Sequence, residues 1–163
     1  MQEEFATDYD PLSTMRWTQQ DRYLVTDDPA PLDFDFIERM LRASYWAAER
    51  PRDVIERSWL SPASVPFSLW DGDRMIGMAR AVTDRLTFSW IADVMIDPDY
   101  RGRGLGQFLM RCVVEHPDVR VTKLLLGTRD AHAFYAKLGF ERTSNAMRKA
   151  PETQGTSIGA AVW

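Results

Sequence analysis

One cysteine and two histidines are all that this 163-residue sequence offers of the common nitrogen and sulfur metal ligands. No metal-ligand cluster of the usual spacings can be assembled from so few, so no metal is expected. A lone cysteine also excludes an internal disulfide framework and fits a reducing cytosol. Positive charge is in short supply too: 20 Lys and Arg against 24 Asp and Glu leave a formal net charge of −4. That balance favours neither nucleic acid nor an anionic membrane, and a mildly acidic surface slightly favours cationic substrates. No run is long and apolar enough to span a bilayer, and Met1 to Asp10 is polar and acidic, unlike a signal segment. The chain is accordingly read as cytoplasmic, with no nucleic-acid or membrane partner. Two phosphate motifs are also missing. No Gly-Lys-Ser/Thr occurs, which excludes a P-loop, and Gly102, Gly104 and Gly106 are spaced G-x-G-x-G, not G-x-G-x-x-G.

What is present is the balance of an ordinary globular protein, 45% hydrophobic and 27% charged, with length for one domain and a proper core. Its most informative stretch runs from Val94 to Gln107. An apolar strand breaks at Pro98, turns through a basic glycine-rich loop and continues into a helix. Leu105, Phe108, Leu109, Cys112 and Val113 keep i, i+3, i+4, i+7, i+8 spacing, which puts them on one helical face. Cys112 therefore reads as core. Glycines at a helix start let the backbone approach a ligand closely. The first helical N–H groups have no partner within the helix, and the dipole adds partial positive charge there. With the full charges of Arg101 and Arg103, this arrangement suits a phosphate or pyrophosphate.

Arg101, Gly104 and Gly106 form Arg-x-x-Gly-x-Gly between a strand and a helix, and this resembles the acetyl-CoA signature of the GNAT superfamily of N-acetyltransferases. A second stretch, Phe134-Tyr135-x-Lys137-Leu138-Gly139-Phe140, also resembles that family, in the right order and about thirty residues on. The resemblance covers roughly Arg22 to Lys149. It implies an α+β fold: a mixed, mostly antiparallel sheet with helices on both faces, in which the central strand and the next splay apart to leave a cleft. Residues 1–21 read as an N-terminal extension, 22–150 as the acetyltransferase domain and 151–163 as a C-terminal tail. Phe5, Tyr9 and Trp17 are the residues that would order the extension.

Along the domain, 22–26 reads as a strand. Asp27 to Pro31 is a break, and Asp33 caps a helix to about Ala43. Pro51 starts a second helix. Val65, Phe67 and Leu69 alternate along a strand, and Asp71-Gly72-Asp73-Arg74 is a hairpin turn. Strands follow over 75–83 and 86–96. The second has Leu86, Phe88, Trp90, Ala92, Val94 and Ile96 on one face and Thr87, Ser89, Ile91, Asp93 and Met95 on the other. The central helix ends near Glu115-His116-Pro117. A strand follows over 119–126, then a short helix that begins near His132, capped by Asp130 and ended by Gly139.

The resemblance also implies roles. Val94, Met95 and Ile96 give main-chain contacts to the pantetheine arm and thioester of acetyl-CoA. Gly102, Gly104, Leu105, Gly106 and Gln107 give N–H groups to the pyrophosphate, with Arg101 and Arg103 as charge. Tyr135 is the general acid to the CoA sulfur. Many members carry an Asn seven residues before that tyrosine; here the position is Thr128. The segment between the first two helices commonly walls the acceptor pocket, where Tyr45, Trp46 and Glu49 grip an amine, or the two rings pack on the sheet. A base is harder to place. Trp90 and Ala92 stand where several members carry a Glu or His. Trp90 to Val94 resembles the same strand in diamine acetyltransferases, in which acids meet a cationic substrate. Asp93, in a buried strand, needs a partner such as Arg80 or Arg129, or serves the site as a catalytic residue that binds the ammonium group or accepts its proton, directly or through water. The expected activity is acetyl transfer to a small primary amine. A protein or peptide acetyltransferase and a non-catalytic acyl-CoA-binding regulatory module stay open, and exposed late strands in such folds often pair in a homodimer.

Overall fold

A computed structural model describes residues 13–149. The proposed tail at 151–163, and Phe5 and Tyr9 of the extension, lie outside them. Six strands form one sheet in the order of the chain: β1 (Arg16–Gln19), β2 (Tyr23–Thr26), β3 (Ser64–Asp71), β4 (Arg74–Thr83), β5 (Phe88–Ile96) and β6 (Lys123–Leu126). The first five are antiparallel neighbours, and only β5 and β6 run parallel. This is the α+β architecture read from the sequence. The segment read as an extension contributes a strand of its own, β1, with Trp17 against the core. Four residues of half-exposed pattern are too short to show a period. Among the described residues no helix is long and apolar enough to cross a membrane.

Two layers of helix cover the sheet. Helices α1 (Phe34–Arg42) and α2 (Arg52–Trp59) bury Phe36, Ile37, Leu41, Ile55 and Trp59 against Met75 and Met78. The Asp33 carboxylate accepts from the Asp35 and Phe36 N–H groups, as its N-cap position requires. On the opposite face α3 (Leu105–Glu115) packs Leu105, Leu109, Cys112 and Val113 on Phe67, Leu69, Ile76 and Ala79. Burial pushes the Cys112 thiol up to about 12, so it is a core group and not a nucleophile.

The segment 119–126 is not one strand. Pro117–Arg120 forms α4, and pairing starts only at Lys123. Pro117 sets the first turn, and the His116 Nδ1 accepts from the Asp118 N–H. That fixes the His116 proton on Nε2, which donates to the half-buried Asp27 carboxylate at 2.9 Å. The last helix, α5 (His132–Ala136), has no side-chain cap; Thr128 Oγ1, not Asp130, accepts from the Ala131 N–H. Strand β5 begins at Phe88, since Asp84 holds the three following N–H groups at 86–88 in a turn.

A bulge reorganises β5. Met78 pairs with Met95 and Arg80 with Ala92, so Ala79 faces both Asp93 and Val94. Asp93 takes φ +57°, which a short polar side chain tolerates better than most. The pleat shifts by one residue there. Ile91, Val94 and Ile96 share the α3 face, while Met95 joins the α1–α2 face. The simple alternation read from the sequence, with Ala92, Val94 and Ile96 on one side, fails at that extra residue.

Candidate active site

The β5–β6 ladder stops at Ile91 and Leu126. Beyond it β5 continues to Ile96 without β6 beside it, and a cleft of about 650 Å³ opens there. One wall is Val94, Met95, Ile96 and the loop from Arg101 through Gly102 and Gly104 to Gln107. Facing it are Phe134 and Tyr135 of α5, and Tyr45 and Trp46 close the end. Nearly every site residue expected from the sequence therefore lines one cavity.

The loop geometry follows from its residues. Asp97 receives the Asp99 N–H and makes a 3-10 turn over Pro98–Tyr100. Arg101 then lies along the strand end, its Nε donating to the Ile96 carbonyl. Gly104 is the N-cap of α3 with φ +75°, and a Cβ there would have no neighbour within 4 Å. The backbone is thus bare toward the cleft, and the first-turn N–H groups of α3 lack intrahelical partners. A bare, positively polarised helix start fits a phosphate-bearing ligand.

Arg103 departs from expectation. Its guanidinium lies over the Tyr100 ring at 4.9 Å and donates to the Asp99 carbonyl, and it is not among the cleft-lining residues. Tyr100 is a lining residue that pattern reading missed, and its hydroxyl donates to Asp71. Nothing in the local sequence marks it, because the Asp71 contact joins two distant turns.

Tyr135 stacks edge-on with Phe134 at 5.0 Å and with Phe140 at 5.8 Å. Burial first, and the nearby Tyr45 second, push its hydroxyl up to about 12. Tyr45 accepts the Arg129 N–H at 3.0 Å, and the Arg129 guanidinium covers its ring at 3.9 Å. The loop before α5 is thereby tied to the loop between α1 and α2.

Asp93 is buried outside the lining, behind Trp46. It takes the Trp46 indole N–H at 3.3 Å, Arg50 Nη1 at 3.3 Å and both Nε and Nη2 of Arg80 at 3.1 Å. Of the two partners expected for it, Arg80 is present and Arg129 is not; Arg50 and Trp46 were not foreseen. Breaking such a buried set leaves uncompensated charge. Asp93→Asn is expected to cost about 3 kcal/mol of stability, read as a lowered urea midpoint.

The profile of the acetyltransferase (GNAT) family matches residues 14–140. A Gibberella zeae protein assigned as an acetyltransferase, FG08082, is 30% identical over 77% of this chain and 82% of its own length. The soybean histone acetyltransferase TAP1 is 39% identical, but over 46% of this chain and 33% of that protein. Among solved structures, one from Xanthomonas campestris assigned to the GNAT family superposes with a TM-score of 0.74 at 32% identity. It spans 82% of this chain and 97% of that one.

Proposed function

The chain belongs to the acetyltransferase (GNAT) family, and from that premise we propose that it moves the acetyl group of acetyl-CoA to a primary amine of a small molecule, by direct attack in a ternary complex. The small-molecule reading rests on the Tyr45–Arg129 strap. An extended peptide needs a groove open at both ends, and this contact holds Tyr45 where it and Trp46 close one end of the cleft.

The roles follow from the walls. The main chain at Val94, Met95 and Ile96 holds the pantetheine arm in the gap beside β5 and polarises the thioester carbonyl. The helix start at Gly104 to Gln107, with Gly102 and Arg101 beside it, holds the pyrophosphate. The attacking amine must be neutral, and Trp90 and Ala92 offer it no base. Asp93 has its oxygens taken by two guanidiniums and an indole, so we assign it to the scaffold and the deprotonation to solvent. The amine nitrogen attacks the thioester carbon, a C–N bond forms and the C–S bond breaks. The sulfur leaves with the Tyr135 proton, and the proton shed by the nitrogen restores Tyr135 through water. Holding both substrates in one cleft supplies much of the remaining acceleration.

The test is CoA release from acetyl-CoA with amino acids, amino sugars, polyamines and short peptides. Release should require an amine and favour a small one. Preferential turnover of peptides would replace this reading with a protein acetyltransferase, as the TAP1 name suggests for that relative. Tight CoA binding without turnover on any amine would make the chain a binding module.

A further inference from the structure

We infer that the acceptor amine carries an anionic group, a carboxylate or a phosphate, received by Arg50 and Arg129 beside the Tyr45–Trp46 pair. The inference rests on the acetyl-transfer reading and names its substrate class.

The charge count comes first. Asp93 is one carboxylate between two guanidiniums, so the cluster behind Trp46 holds a net charge of +1. Arg80 is fully engaged, with its other donors on the Ser58 carbonyl and Ser64 Oγ. Arg50 reaches Asp93 only through Nη1, leaving Nε and Nη2 unbonded among the described residues, and its side chain is 21% exposed. Arg129 is a second open donor. Its guanidinium rests on the Tyr45 ring and bonds to no carboxylate among the described residues. Tyr45 and Trp46 meet edge-on at 4.9 Å and both line the cleft. Arg129 lies on the Tyr45 ring and Arg50 shares the Asp93 carboxylate with the Trp46 indole, so the two guanidiniums stand next to that aromatic pair, just outside the lining itself. Among the described residues Asp130 is the one carboxylate lining the cleft, and Arg101 also lines it.

A partly buried excess of positive charge attracts an anion and repels a cation. A guanidinium fork also matches the geometry of a carboxylate or phosphate. A diamine would set its second ammonium against this field. The mildly acidic net charge of the whole chain therefore points the wrong way for the acceptor, whose surroundings are locally basic.

Matched pairs test this. One compares an α-amino acid with the amine that lacks its carboxylate, and another an amino-sugar phosphate with the free amino sugar. The two pairs also tell carboxylate from phosphate. In at least one pair, kcat/KM should be roughly tenfold higher for the anionic member, as charged hydrogen bonds are typically worth. Arg129→Gln should raise the KM of that member and collapse the ratio, with the calorimetric affinity for acetyl-CoA as the control that the cofactor side is intact. Equal rates within both pairs, a preference for diamines, or a ratio unmoved by Arg129→Gln would overturn the inference. Calorimetric binding of the same pairs to the CoA-saturated protein reads the preference without turnover. Absence of transfer with the preference intact would count against the reaction, and transfer without the preference against the anion site.

Discussion

Tyr135→Phe is expected to lower kcat on the order of a hundredfold, the usual worth of a general acid, with the affinity for acetyl-CoA unchanged. The substitution keeps the ring and its contacts with Phe134 and Phe140. It removes only a hydroxyl that bonds to none of the described residues, so the fold should be undisturbed. The pH profile adds an independent reading. An acid works in its protonated form, and this one is held up to about 12 from an ordinary 10.0. Raising the pKa of an acid extends its working range upward. The wild-type rate should therefore climb as the amine loses its proton and show no falling limb near pH 10. A variant as fast as wild type would remove the acid role. A limb near pH 10 would show that burial does not protect the hydroxyl in the working complex.

The second large effect is expected at Gly104. Gly104→Val puts a β-branched residue at φ +75°, where a side chain costs about 1–2 kcal/mol in backbone strain alone. The added carbons would strike no protein atom, because nothing stands within 4 Å of the built Cβ. They would fill the bare approach to the first-turn N–H groups of α3. Acetyl-CoA affinity should fall by roughly a hundredfold, about 2.7 kcal/mol, and thermal stability by the strain alone. Calorimetry and melting curves separate the two. A stability loss with affinity intact would mean that the loop is only a turn, and the phosphate cradle would have to be given up.

What could be read from the sequence was whatever is local. The helix start at Leu105 is written in its apolar spacing and in the glycines before it. The Asp33 cap and the hairpin at Gly72 are written in turn chemistry. The cleft walls followed because those local motifs sit at the ends of adjacent elements. What could not be read depends on partners far along the chain. The bulge at Asp93 is one added residue opposite Ala79, and no periodicity announces it. Arg50 meets Asp93 across 43 positions, and the Arg129 N–H meets Tyr45 across 84. Arg103 carries the right charge for a phosphate, yet an aromatic neighbour, Tyr100, claims its guanidinium. A motif gives the residue type at a position; the direction of a long side chain is decided by neighbours that the motif does not contain.

The shortness of the β5–β6 ladder has one more consequence. Four residue pairs join β6 to the sheet, against the eight-residue β3 and ten-residue β4 at its centre. The five-residue α5, with Tyr135, hangs from that narrow attachment. Local opening follows such seams, at a free energy well below global unfolding. Amide protons of residues 123–140 should then exchange with solvent through partial openings, while those of β3 and β4 wait for the whole domain to unfold. Since the cleft lies between the α3 loop and α5, a ligand seated there ties this loosely attached segment to the firmer body of the fold.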